Sequence, residues 1–358
     1  MGTRDGALAG ASAPRAYAPH DAGAVSVRGT GARGGTHPTG DGTHPTGDGA
    51  RSTGGGARRT GIVQAAVVRA EDAPGPTLVV RLDQLPVGAL AVGAELARLR
   101  HALSGTAYAE LDKIALYGPT TRAGHTLDYR FVQALPDGAF DFRAGCGHSL
   151  LAAVVADGPR PGPVTVRAVT TGDTVLCERE PEREHADAYT LSFLKAPTAP
   201  GTLPTGRPVD VLSGVPVSLV RYGNPYVFVD ARHLPEPDDE DDLRDRLLAL
   251  RAEAARILGY APRSALPKIA AFAEGPEGLS VRALTVGGWH PRLALTGAAA
   301  LAAAGALDGT VVPAATGPVS TPGGTVTVST APDRVRVHHK RATVLGRLEL
   351  PWRIHATA

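Results

Sequence analysis

Cysteine, aromatic residues and net charge are all scarce in this chain of 358 residues. Two cysteines, Cys146 and Cys177, are too few for a disulfide framework. Lys and Arg together number 37 against 35 Asp and Glu, so no basic surface for nucleic acid is expected. Phe, Trp and Tyr make up 4% of the chain, while Ala, Gly, Val and Pro are abundant. There is no run of about 18 apolar residues, which argues against a membrane-spanning helix. The first residues lack a basic start followed by an apolar run, so no signal peptide is expected. A cytoplasmic protein without membrane or nucleic-acid partners is the expectation.

Residues 1–60 are rich in Gly, Ala, Thr and Arg and repeat Gly-Thr-His-Pro-Thr-Gly-Asp at 35–41 and 42–48. Such a segment buries too little apolar surface to offset its chain entropy, and is read as a disordered extension. His37 and His44 within it do not amount to a metal site. Order is expected from Gly61, leaving enough chain for two modest domains, 61–206 and 207–358. Strand-like runs occupy 62–68, 77–82, 113–117, 129–133, 164–169 and 174–177, with a helical pattern at 89–103. The second half offers strands at 215–221, 226–230, 268–273, 279–286, 325–330 and 334–338. Its helix at 240–258 has acids in the first turn and Leu243, Leu247, Leu250, Ala254 and Ile257 on the core face. The acid run at 238–242 is a helix start, not a metal site. Each half reads as strands around one apolar helix, an α+β layout repeated twice.

Two segments look alike. Gly145-Cys146-Gly147-His148-Ser149 leads into the apolar run 150–156 and then Asp157-Gly158. Leu295-Thr296-Gly297-Ala298 leads into an Ala/Leu run and then Asp308-Gly309. Each is a loop of small residues feeding a buried helix that stops at glycine. Helix starts of this kind leave backbone N–H groups open to an anion. Only the first carries a thiol. A helix start favours the thiolate, so Cys146 is a candidate proton-transfer group; a buried structural cysteine is the alternative. Cys177 sits within a strand-like run and is expected to be inert.

Several pieces, in order, resemble the methylaconitate isomerase (PrpF) family of the diaminopimelate epimerase-like fold. They are Leu203-Pro204-Thr205-Gly206-Arg207-Pro208-Val209-Asp210, Tyr222-Gly223-Asn224-Pro225-Tyr226-Val227-Phe228-Val229, Pro267-Lys268-Ile269-Ala270, Thr296-Gly297-Ala298 and Asp308-Gly309-Thr310-Val311. The resemblance covers roughly residues 62–351 in order and spacing. It implies two similar domains, each a barrel-like, mostly antiparallel sheet around a central helix. It also implies a cleft in which both helix starts meet substrate carboxylates. The implied activity is cofactor-independent: a double bond moves by proton transfer in a small unsaturated di- or tricarboxylic acid, such as a 2-methylaconitate-like molecule. No metal or cofactor is implied.

Cys146 matches the cysteine of the family's Asn-Cys-Gly-Asn segment. Lys113, opening Lys113-Ile114-Ala115-Leu116, matches a lysine implicated in catalysis; an ordinary strand-end lysine is the alternative. Gly147, His148, Ser149, Asn224, Lys268, His290, Thr296 and Gly297 are the candidate substrate contacts. Arg341 joins them as a cleft-facing arginine, with a solvated strand end as its alternative. The chain also departs from the family. Where a Gly-Gly-Thr-Ser-Lys-Gly loop would hold a carboxylate, it has Ala70-Glu71-Asp72-Ala73-Pro74-Gly75-Pro76. A different substrate, or one of smaller charge, is expected. No second cysteine stands near 292–297, which disfavours a two-thiol racemase. Two other functions remain open: a natural-product enzyme using the same proton-transfer cleft, and a non-catalytic accessory to an aconitase-like dehydratase. A homodimer and that dehydratase are the protein partners to consider.

Overall fold

The computed structural model describes residues 59–81, 83, 89–181, 187–261, 264–285 and 288–354. The disorder expected of residues 1–60 therefore falls, up to residue 58, outside the described residues. The last two positions, expected to be disordered, instead open the first strand.

β1 (Arg59–Ala70) turns back into the antiparallel β2 (Thr77–Arg81). The chain crosses through α1 (Ala89–Leu103) to β3 (Lys113–Pro119), which lies parallel to β2. A helix on one face of parallel strands makes both faces apolar. Val67, Leu78, Val80, Ile114 and Leu116 pack outward with Leu96 and Leu99 of α1. The alternate residues Ala66, Val68, Val79, Ala115 and Tyr117 face the opposite way, into a central core. This two-sided burial explains the continuous Val/Ile/Ala runs of the sequence. Each fully buried Leu or Val contributes roughly 1.5–3 kcal/mol.

β4 (Leu127–Ala134) pairs antiparallel with β3 and β5 (Phe140–Asp141), and the first core helix, α2 (Gly147–Asp157), follows. β6 (Val164–Ala168) runs parallel to β4, and β7 (Thr174–Arg179) and β8 (Tyr189–Phe193) continue the sheet antiparallel.

The second half repeats this order. β10 (Val215–Tyr222) and β11 (Asn224–Asp230) form a hairpin, and α3 (Glu240–Ile257) crosses to β12 (Lys268–Gly275), parallel to β11. β13 (Gly278–Thr285) and the short β14 (Gly288–Trp289) lead to the second core helix, α4 (Leu295–Gly305). β15 (Gly317–Thr321) is parallel to β13, and β16 (Gly324–Ala331) and β17 (Arg334–Lys340) complete the series. β17 pairs with β8, joining the halves edge to edge. The short β9 (Asp210–Leu212) lies on β10, and β18 (Ala342–Ile354) lies along β1. The last strand, expected to belong to the second domain, thus extends the sheet of the first half.

The acid run at 238–242 does start a helix. The Asp239 carboxylate caps α3 by accepting from the Asp242 N–H at 2.8 Å, and Glu240, Asp241 and Asp242 fill its first turn. An N-terminal acid and its cap together stabilise such a helix by about 1–2 kcal/mol. Leu243, Leu247, Leu250 and Ala254 bury against β10, β11 and β12 as the spacing predicts. Ile257 instead ends the helix exposed. Both core helices are buried over most of their surface and contribute their apolar residues to one central cluster. In α4, every residue from Leu295 to Ala304 is buried. Its alanines keep the helix thin enough for strands to pack closely around it. No helix among the described residues is long and apolar enough to cross a membrane.

Candidate active site

The starts of the two core helices meet. A Cβ built on Gly147, the first residue of α2, would lie 2.5 Å from Leu295 Cδ2 and 2.8 Å from Leu295 Cβ. Leu295 is the first residue of α4, so the bare glycine backbone is what lets the two starts touch. Around this junction is a cleft of about 550 Å³, its open mouth included. Cys146, Gly147 and His148 enter it from the α2 start, and Leu295 and Thr296 from the α4 start. Lys113 and Gln133 line it from β3 and β4, Asn224, Tyr226 and Lys268 from β11 and β12, and His290 from the loop before α4.

Cys146 holds the N-cap position of α2 with extended backbone (φ −142°, ψ 110°), and its side chain caps no amide. Its thiol is free and half-buried. The Tyr129 hydroxyl donates to the Cys146 carbonyl at 2.8 Å. Asn224 grips the preceding residue from the other half: its Oδ1 accepts from the Gly145 N–H and its Nδ2 donates to the Gly145 carbonyl, both at 2.7 Å. Expected to contact substrate, the Asn224 amide thus mainly fixes the thiol loop. Cys177 is buried in β7, and burial pushes its thiol well up, which keeps it inert.

Cations surround the cleft. Lys113 and Lys268 are both 8% exposed. The Lys113 ammonium donates to Asp112 Oδ1 at 2.8 Å, and Gln133 Nε2 donates to the other oxygen of that carboxylate at 3.1 Å. The Lys268 ammonium makes no hydrogen bond or ion pair with a described residue, although its backbone is held in the β11–β12 ladder. Nearby, the buried Asp72 binds Arg292 at 2.6 Å and also pairs with Lys340. Asp72 belongs to the 70–76 loop that departs from the resembling family. A carboxylate of the protein therefore engages two cations, neither of which lines the cleft.

Two buried histidines complete the wall. The His148 and His290 rings stack at 5.9 Å with 21° between their planes. The Arg292 N–H donates to His290 Nδ1 at 3.2 Å, which leaves its Nε2 carrying the proton. His148 Nε2 has no partner. Burial holds His148 well below the ordinary histidine range, helped by His290 and by Lys340 and Lys113. Burial likewise pushes His290 down to about 4. Both rings are neutral at pH 7, and each can offer an N–H to an anion without adding charge.

A stability consequence follows. Below about pH 6.5 these histidines take up protons in the unfolded chain but not in the folded one. Stability is fully present above that pH and falls as the pH drops through 4. For His290 alone the loss is on the order of 3 kcal/mol. Urea unfolding at pH 7 and pH 4.5 should show the loss, and His290→Gln should flatten it. An unchanged slope in the variant would remove His290 from the account.

Three expected contacts lie off the cleft. Ser149 is fully buried, and its hydroxyl bonds Thr77 Oγ1 at 2.9 Å, tying α2 to β2. Gly297 sits under the Tyr226 ring, where a Cβ would lie 2.7 Å from the hydroxyl oxygen. Arg341 is at the surface, with Glu71 Oε2 3.5 Å away; the basic side chain that turns inward at this strand end is Lys340. The sequence reading missed Tyr226, Gln133 and Asp72. Tyr226 was findable, because it lies within the matched segment 222–229, two residues after Asn224. Asp72 was not, because its partners come from a loop and a strand far along the chain. Among the described residues no group of three His, Cys, Asp or Glu side chains converges as a metal site.

A scan against protein-family models finds no match, and no curated protein sequence matches the chain. Solved structures do. A methylitaconate-delta-isomerase superposes with a TM-score of 0.58 at 20% identity, covering 84% of this chain and 99% of the other. A hydroxyproline epimerase from Agrobacterium vitis, with bound trans-4-hydroxy-L-proline, gives 0.51 at 18% identity, covering 81% and 92%. A probable proline racemase from Agrobacterium radiobacter K84, with bound carbonate, gives 0.51 at 15% identity, covering 82% and 93%. The chain has the α+β, diaminopimelate epimerase-like fold of these proteins.

Proposed function

We propose that the chain is a cofactor-independent isomerase that shifts a double bond by proton transfer in a small unsaturated carboxylic acid. The observation that carries this reading is the cleft itself. A free thiol at one helix start faces a second helix start, between two buried lysines and two neutral imidazoles. Removing a proton from carbon beside an unsaturated carboxylate needs a base at the carbon and fixed positive potential around the developing charge. Cys146 thiolate is the base. Lys113, the open amides of both helix starts and the N–H groups of His148 and His290 hold the carboxylate and the delocalised anion.

The matched position on the second helix start is Ala294, with no thiol. The site is therefore built for moving a proton between two carbons, not for exchanging it between two equivalent bases. The 2-methylaconitate-like acid is the first substrate to try. The 70–76 loop, which lines the cleft through Pro74 and carries no serine or lysine, favours an acid with fewer carboxylates than that one. The test is a panel of methylitaconate, itaconate, aconitate and related acids incubated with the protein in deuterated buffer. Deuterium uptake at carbon, read by NMR, supports the reading; no uptake by any of them counts against it.

A further inference from the structure

Lys113 and Lys268 occupy equivalent places in the two halves. Each opens the strand that follows an outer helix, and each stands in register beside the preceding parallel strand, Thr77 with Lys113 and Tyr226 with Lys268. Each is followed by Ile-Ala. Their surroundings differ. The Lys113 ammonium is tied to Asp112, whereas the Lys268 ammonium has no hydrogen-bond or ion-pair partner among the described residues.

The backbone leading to Lys268 is nevertheless firmly held. Arg251 of α3 donates to the Pro267 carbonyl at 2.8 Å and to the Ser264 carbonyl. The buried Asp141 of β5 accepts from the Ala265 N–H at 3.1 Å. A lysine with a fixed backbone, a free ammonium and a place in the cleft is arranged to act on what the cleft binds. The charged groups that face it are Arg251 of α3, Lys113 of β3, Asp141 of β5 and Cys146 before α2.

We propose that Lys268, and not Lys113, is the second proton-transfer residue, the acid that reprotonates the far carbon. This rests on the isomerase reading. Cys146 sulfur takes the proton from the allylic carbon, and the C–H electron pair spreads over the double bond and the carboxylate. An N–H of the Lys268 ammonium then gives its proton to the distal carbon, the N–H pair stays on nitrogen, and the double bond ends one position along. Return of the thiol proton to the amine through solvent restores thiolate and ammonium. Burial, with Arg251 beside it, pushes Lys268 down to about 8, so its hold on the proton is weak enough for transfer near neutral pH.

The test separates exchange from isomerisation, with methylitaconate, itaconate and aconitate as probes in deuterated buffer. Lys268→Met should keep deuterium uptake into recovered substrate within about threefold while product falls roughly 100-fold or more. Lys268→Arg should behave like the Met variant, because a guanidinium does not release its proton. Lys113→Met should keep the wild-type ratio of product to exchange. Product formation by Lys268→Arg, or equal loss of exchange and product in Lys268→Met, would reduce Lys268 to a binding cation and overturn the assignment. Absence of exchange in the wild-type protein with every probe would instead defeat the isomerase reading, and this assignment with it.

Discussion

Replacing Cys146 with alanine is expected to lower deuterium uptake by substrate about 1000-fold. Alanine has no atom that can accept the proton, while the cations and helix starts that hold the carboxylate remain. Binding should therefore survive, and the loss should fall on turnover more than on KM. Cys146→Ser should fall nearly as far, because a hydroxyl yields its proton far less readily than a thiol. The fold should be little affected. The thiol caps no amide of α2, so the variant should unfold within about 1 kcal/mol of the parent. Exchange that persists within tenfold of wild type would take Cys146 out of the chemistry.

Gly147→Ala should cost roughly 100-fold in activity and about 1–3 kcal/mol in stability. The added methyl would sit 2.8 Å from Leu295 Cβ. A side-chain tip can swing away, but a Cβ moves only with its backbone, so the two helix starts must separate. Separation shifts Cys146 relative to Thr296 and Lys268, and proton transfer is sensitive to displacements of about 1 Å. Gly145→Ala provides the comparison. Its methyl would meet Thr171 at 3.2 Å and Asn224 at 3.4 Å, contacts that small shifts can relieve. Chemical denaturation and exchange rates for both variants check the prediction. Equal effects at the two glycines would show that contact between the helix starts does not govern the site.

Much of the fold is legible in the sequence where apolar runs are long. The helix at 89–103 and the lysine-led strands at 113 and 268 emerge with bounds close to those observed. β8, β15 and β18 were missed for physical reasons. β18 alternates Leu348 and Leu350 with Arg347 and Glu349 and contains Gly346 and Pro351, so its local pattern is weak and its partner lies at the other end of the chain. In the cleft, Cys146, His148, Lys113, Lys268, His290 and Thr296 could be named because short motifs or helix starts mark them. The duties of Asn224, Ser149 and Asp72 could not. Each is decided by tertiary contacts: Asn224 with Gly145, Ser149 with Thr77, and Asp72 with Arg292 and Lys340. The contrast between Lys113 and Lys268 was visible only in part: Asp112 stands next to Lys113 and Pro267 next to Lys268 in the sequence, but that the Asp112 carboxylate turns to the Lys113 ammonium is decided by the fold.

The pairing of β1 with β18, from Arg59 with Ile354 to Ala70 with Ala342, bears on how the protein is made. A ribosome releases the N-terminal strand long before it has built the strand that lies against it. Until then β1 has an exposed edge and Leu348 and Leu350 are missing from the layer beneath α1. The second half, whose own edge strand β9 precedes it in the chain, can close during synthesis. The first half can close only once β18 has been made. Order of translation and order of folding are thus reversed, and the nascent chain passes through a stage in which an unpaired strand invites association with neighbouring copies.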